Sequence, residues 1–292
     1  SGTACASIVA TPSARRLRPP SKPWASLRDN QRNKNTPNPM TFPSLLSSVP
    51  RLGKSAVLCI GTDLRRNAEA WREAALPCVA LSEIGRAQRF RQPLDAIRHL
   101  TGRALVRTLL ARELGMEKLL TEFTTNPWGK PALPGCGIEF SITHSGTAVF
   151  AAFCRGIPVG IDIEKEDRYT DLHALSDLFH PAERAELLVL SMRQARTAFF
   201  RCWTRKEAIV KALGKGLSNP LSGFRVHTGD CISGWLIEAP QPGGVGWTTA
   251  DLPVCRGNHV SIAAMAPGLS LSCFHLQGHT NIRPQAISRP PP

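Results

Sequence analysis

The first core-like pattern in the chain is Ala56-Val57-Leu58-Cys59-Ile60, five apolar residues stopped by Gly61. A run this short and unbroken predicts a buried strand. Residues 81–114 instead carry a helical stripe, with Leu94, Ile97, Ala104, Leu105 and Leu109 on one side and Gly115 as terminator. Asn126-Pro-Trp-Gly-Lys-Pro131 is a loop by its turn residues. Strands are expected at Ile138–Ile142, Ala148–Cys154 and Val159–Glu164. Residues 172–213 read as two or three helices, with Pro181 at a first helical position, Glu183 in that first turn and Gly214 as the final stop. Short strand-like segments follow near Phe224–His227, Trp235–Glu238, Val260–Met265 and Leu269–Phe274. Each half segregates its strands from its helices, which is the order of an α+β fold. No fixed-period repeat is present.

Composition changes this picture at the ends. The 292 residues suffice for one large core or two small ones, and 42% hydrophobic with 20% charged residues suits a soluble globular protein. The net charge of +14 suggests an acidic partner, but it is unevenly spread. Residues 1–50 hold seven Lys/Arg, one acid and eight of the 24 prolines, a composition unable to offset its ordering entropy by burial. Expected divisions are therefore a disordered basic leader at 1–50, an N-terminal lobe at 51–157, a C-terminal lobe at 158–278 and a disordered tail at 279–292. The leader has the Arg- and Ser-rich, acid-poor character of an organelle transit peptide. The reading preferred here takes Met40 as the natural start and residues 1–39 as upstream sequence. No run of about eighteen apolar residues suggests a membrane span. Nine singly placed cysteines, with no Cys-x-x-Cys pair, point away from a disulfide framework or structural zinc and toward a reducing cytosol.

Three segments carry candidate chemistry. In Gly160-Ile161-Asp162-Ile163-Glu164, strand alternation puts Asp162 and Glu164 on one face and the isoleucines on the other. Two neighbouring carboxylates repel unless a cation intervenes, and oxygen-only ligands suit Mg2+ with substrate phosphates; a solvated acidic edge has the same pattern. In Phe199–Leu217, Phe199, Trp203 and Val210 form an apolar stripe, while Glu207 and Lys211 stand four residues apart and can meet. The lysine-rich, glycine-flanked end suits phosphate, although a plain surface Glu–Lys pair fits equally. In Phe140-Ser141-Ile142-Thr143-His144-Ser145-Gly146, a histidine at a strand-to-turn junction could meet a phosphate, accept a proton, or do neither.

Together and in this order the segments resemble the Sfp-type 4'-phosphopantetheinyl transferases. The signature pair is Gly-Ile-Asp-Ile-Glu followed about forty residues later by Trp-x-x-Lys-Glu-Ala-x-x-Lys-Ala-x-Gly-x-Gly-Leu, and both halves are complete. Gly129-Lys130-Pro131 and the Ser-Ile-Thr-His-Ser-Gly stretch also match, and the resemblance runs from about Leu81 to about Thr228. It implies two pseudo-symmetric α+β lobes with coenzyme A in the cleft between them. It further implies Mg2+ held by Asp162, Glu164 and Glu207, and phosphates met by Lys206 and Lys211. His144 would reach the ribose 3'-phosphate with Arg86 and Arg98, and Gly129, Lys130 and Pro131 would line the adenine pocket. Thr143 stands where the family more often has serine, keeping the hydroxyl. Glu183 matches a family position too, but is assigned here to helix capping. Glu207, Lys211 and Asp162 would act at the reacting centre, with Glu207 taking the proton of the attacking serine.

The implied partners are coenzyme A and apo acyl or peptidyl carrier proteins of fatty-acid, polyketide or nonribosomal-peptide synthesis. A basic rim would steer these acidic partners in, though the same charge could serve solubility alone. The complete Trp-x-x-Lys-Glu motif and two-lobe length suggest a cytoplasmic monomer, not the short trimeric type. A nucleic-acid-binding protein, suggested by a pI of about 9.9, is disfavoured by the concentration of charge in the leader and by only 6% aromatic residues. An inactive relative that merely binds coenzyme A is disfavoured by the three intact acidic positions.

Overall fold

The computed structural model describes residues 40–241, 246–254 and 257–276, and the backbone of 283–286. The expected leader at 1–39 and most of the expected tail lie outside these residues. In chain order the first half contains α1 (Phe42–Leu46), β1 (Ala56–Asp63), α2 (Ala68–Ala75), α3 (Leu81–Ala87) and α4 (Pro93–Leu114). A two-residue ribbon of β2 (Thr124–Thr125) and β3 (Pro131–Ala132) precedes β4 (Ile138–Ser145) and β5 (Ala148–Arg155). The second half runs β6 (Val159–Lys165), α5 (Leu172–Ser176), α6 (Pro181–Leu188), α7 (Met192–Leu213), β7 (Arg225–Val226), β8 (Leu236–Glu238), β9 (Thr248–Asp251) and β10 (Asn258–Ala264). The final strands are β11 (Ser270–Leu276) and β12 (Arg283–Ala286).

Two sheets organise the molecule, one ordered β12-β11-β1-β5-β4 and the other β6-β10-β9. Each is covered on its outer face by a 22-residue helix that ends in a left-handed glycine: α4 at Gly115 (φ 70°) and α7 at Gly214 (φ 67°). This is the expected pair of α+β lobes. Leu58, Ile60 and Phe153 point toward α4, whereas Val57, Cys59, Phe150 and Ala152 face the other way and pack on Ile161, Ile163, Val260 and Ile262. The sheets thus share a buried apolar layer, so β1 is buried on both faces, as its unbroken apolar run requires. The seven cysteines among the described residues are free.

Five expectations change. The first strand does not stop at Gly61 but runs through it to Asp63, paired along its length with β5. The expected leader ends earlier, because Phe42, Leu45, Leu46 and Val49 are buried against α4 and Trp71; the helix starts on a Thr41 cap with Pro43 in its first turn. Residues 81–114 form two helices, since Pro93 cannot continue a helix and instead opens α4. β11, assigned by sequence to the second lobe, pairs in parallel with β1 of the first sheet. Finally, residues 283–286 of the expected disordered tail pair with β11.

One close approach fixes the second lobe. A Cβ added to Gly160 of β6 would lie 2.0 Å from the Ala208 carbonyl oxygen and 2.4 Å from the Ala212 nitrogen of α7. Glycine is therefore needed for backbone-to-backbone contact rather than for a special dihedral. Gly160→Ala is expected to lower stability by at least ~2 kcal/mol in urea unfolding, because neither backbone can yield cheaply.

Candidate active site

The approach at Gly160 brings together the carboxylate face of β6 and the charged face of α7. Asp162 is 4% exposed; its Oδ1 accepts from Lys211 Nζ at 2.5 Å and from Thr143 Oγ1 at 3.1 Å. Lys211 Nζ also donates to Thr143 Oγ1 at 3.2 Å. Glu164, two residues along the same strand face, accepts from Ser145 Oγ at 3.1 Å. Glu207 lies one helical turn before Lys211, within electrostatic reach of both Lys211 and Asp162.

Charge is balanced unevenly here. Burial and the repulsion of Asp162 push Glu207 up to about 7, with Lys211 opposing them. Glu164 is pushed to about 7 by burial and by Asp162. Burial raises Asp162 against the pull of Lys211 and Thr143. For Lys211, burial alone would favour the neutral amine, but Asp162 and Glu207 outweigh it and hold the ammonium above its ordinary range. One ammonium thus serves three carboxylates, and Asp162 Oδ2, fully buried, has no hydrogen-bond partner.

Among the described residues no three His, Cys, Asp or Glu side chains close into a ready-made metal cage. What is present is an oxygen-only donor set with one orphaned carboxylate oxygen and surplus negative charge. That chemistry fits a hard divalent cation.

The other expected site residues fall into three groups. Arg86, Arg98 and His144 do converge. His144 leaves β4 on the face opposite Thr143, where desolvation and the positive charges of Arg98 and Lys211 hold its imidazole to about 4. Arg98 donates to the Gly146 carbonyl at 2.8 Å and pairs with Asp95. The sequence reading missed His99 and Arg103 in this corner. Burial, with Arg103, Arg86 and His144, holds His99 to about 3, and its buried Nε2 has no partner. Arg86, Arg98 and Arg103 thus share one small region with two imidazoles that are neutral near pH 7, and Arg98 and Arg103 are partly balanced by Asp95 and Glu83. The arginines make the corner attractive to anions.

Gly129 and Lys130 sit on the turn between β2 and β3, and Pro131 opens β3. Asn126 Nδ2 donates to the Gly214 carbonyl at 2.6 Å, and Lys130 Nζ donates to the carbonyls of Val159 (3.1 Å) and Ala212 (3.5 Å). The loop is thus tied to the end of α7 and the start of β6, with Trp128 half-exposed beside Gly216. The Lys130 ammonium is engaged in this bridge.

Lys206 is a correction. Expected to contact phosphate, it is fully buried on the far side of α7. Its Nζ donates to Leu221 O (2.7 Å) and Phe224 O (2.8 Å) and ion-pairs with Glu183 (2.8 Å), beneath the Phe224 ring. Three donors meet three acceptors, so none remains for a ligand. The reason is helical phase: Lys206 and Glu207 are about 100° apart, and only the latter faces β6. Glu183 does cap α6, accepting from His180 N (2.9 Å), and also accepts from Val226 N (2.7 Å).

Known proteins resemble this chain in sequence. Residues 158–263 match the model of the 4'-phosphopantetheinyl transferase superfamily. The chain is 35% identical over 160 residues to the 4'-phosphopantetheinyl transferase Sfp of Bacillus subtilis (strain 168), covering 54% of this chain and 70% of that protein. It is 36% identical over 162 residues to the 4'-phosphopantetheinyl transferase psf-1 of Bacillus pumilus (54% and 68%), and 35% identical over 141 residues to the transferase HetI of Nostoc sp. (strain PCC 7120 / SAG 25.82 / UTEX 2576), covering 47% and 60%. The chain belongs to the 4'-phosphopantetheinyl transferase superfamily and is of its Sfp type.

Two outcomes follow. Lys206→Ala leaves Glu183 buried without its counter-charge and is expected to cost about 3–5 kcal/mol in urea unfolding; a phosphate-contacting surface lysine would leave stability unchanged. Glu164 and Glu207, raised from 4.5 to about 7, bind more protons folded than unfolded between these values. Their contribution to stability is therefore full below about pH 4.5 and lost as pH rises through about 7. The thermal midpoint in metal-free buffer should fall from about pH 5 to about pH 8, and Glu207→Gln should flatten that slope.

Proposed function

We propose that this protein transfers 4'-phosphopantetheine from coenzyme A to a serine of an apo acyl or peptidyl carrier protein and releases 3',5'-ADP. The observation that carries this is the cluster of Asp162, Glu164, Glu207 and Lys211, in which the buried Asp162 Oδ2 has no hydrogen-bond partner. Asp162, Glu164 and Glu207 would hold Mg2+, which when bound offsets pyrophosphate charge.

The reaction needs little covalent chemistry from the protein. The carrier serine Oγ attacks the β-phosphorus, the bond to the α–β bridging oxygen breaks, and that oxygen leaves on 3',5'-ADP. Lys211, kept protonated by its acidic neighbours, faces the charge on the transferring group. Glu207, which burial and Asp162 push up to about 7 in the metal-free protein, suits a base that takes the serine proton directly or through a water. The corner of Arg86 and Arg98, with His144 as a neutral hydrogen-bonding imidazole, suits the 3'-phosphate. The exposed backbone of Gly129 and the ring of Pro131 suit the adenine edge. No helix among the described residues is long and apolar enough to cross a membrane. We read the enzyme as a cytoplasmic monomer that meets carrier proteins in solution.

Incubation with coenzyme A, Mg2+ and a panel of apo carrier domains should add about 340 Da to at least one carrier, read by mass spectrometry; unchanged masses across the panel would overturn the proposal. Glu207→Gln should lower kcat by about 10²–10⁴-fold, and near-normal turnover would remove Glu207 from proton transfer.

A further inference from the structure

β4 and β6 are edge strands of different sheets, and they face each other across the lobe seam. No backbone ladder joins them. Instead the outward N–H groups of β6 are met by side-chain hydroxyls of β4. Ile161 N–H donates to Ser141 Oγ at 3.3 Å, Ile163 N–H to Thr143 Oγ1 at 3.2 Å, and Lys165 N–H to Ser145 Oγ at 3.1 Å. The alternation Ser-x-Thr-x-Ser matches the strand period, so all three hydroxyls fall on one face.

A hydroxyl accepts and also donates one proton. Thr143 gives its proton to Asp162 Oδ1 and Ser145 gives its proton to Glu164 Oε2. Ser141 makes the same backbone bond with no carboxylate contact among the bonds seen here. The row therefore contains its own control: three like seam bonds, two of which continue to a site carboxylate. Glu164 is the more dependent of the two acids. Asp162 is also held by Lys211, whereas Ser145 Oγ is the side-chain donor found on Glu164.

We propose that Ser145 is a positioning residue of the transfer site: pinned by the Lys165 N–H, its hydroxyl orients the Glu164 carboxylate for cation binding. The inference rests on the divalent-cation reading above. It assigns Ser145 a role that neither the paired motifs nor the phosphate-binding corner supplies.

The test is Mg2+ binding to the full chain, followed by calorimetry and by the cation-dependent shift of the thermal midpoint. Ser145→Ala should raise the Mg2+ Kd about tenfold or more, the scale on which outer ligand-orienting groups act. Ser145→Thr should restore it to within about twofold. Ser141→Ala should lose a comparable seam bond yet keep the parent Kd within about twofold. If Ser145→Ala does not fold, Ser145→Cys, a weak donor of similar volume, carries the same expectation. Equal Kd values for the Ser145 and Ser141 variants overturn the positioning role and leave the cation reading intact. A parent chain with no Mg2+ response, matched by Glu164→Gln, overturns the cation reading and the positioning role with it.

Discussion

The absence of a side chain at position 160 lets the backbone of α7 rest directly on the backbone of β6. With a Cβ meeting a carbonyl oxygen at 2.0 Å, no other residue preserves that contact. The consequence reaches beyond packing. The strand face that carries Asp162 and Glu164 is the one α7 covers, so the helix delivers Glu207 and Lys211 to those carboxylates without a loop to position them. Sites built from regular elements hold their groups with little conformational freedom to lose. The same contact buries Asp162, and burial is the leading cause of the raised protonation of all three acids.

Two lysines of one helix show how burial divides identical chemistry. Lys206 satisfies every donor inside the second lobe, and its partner Glu183 is equally enclosed. Such a pair gains little over an apolar substitute, but neither member can be removed alone. Lys211 pairs with an acid that still has an unsatisfied oxygen, in a cluster where negative charge exceeds positive. The first arrangement is closed, the second open to a further cation or a phosphate. Openness, not the presence of lysine, separates the functional residue from the structural one.

The lobes are not independent units set side by side. After β10 of the second sheet the chain returns to the first sheet as β11, and the apolar layer between the sheets takes residues from β1, β5, β6 and β10. The cleft edge is therefore referenced to a common core. The Asn126–Pro131 loop adds a second tie by bonding to the end of α7, where Gly214 leaves room for Asn126 and Lys130.

The sequence by itself determined the local elements and the identity of the charged residues. The apolar run at 56–60, the stripes of α4 and α7, the helix-ending glycines Gly115 and Gly214 and the alternation at 160–164 all act through nearest-neighbour geometry, which a single chain displays. It also showed that Glu207 and Lys211 share a helix face. Tertiary structure decided what depended on distant partners: that Phe42 and Leu46 belong to the first core, that β11 crosses between lobes, and that Lys206 turns inward while Lys211 turns to Asp162. The hydroxyl row of β4 was visible as a period of two, yet its meaning was not, because nothing local reveals that an edge strand from the other lobe will present its N–H groups there. Burial set the protonation of the acids, and burial is a property of the assembled layers, not of any residue's neighbours in sequence.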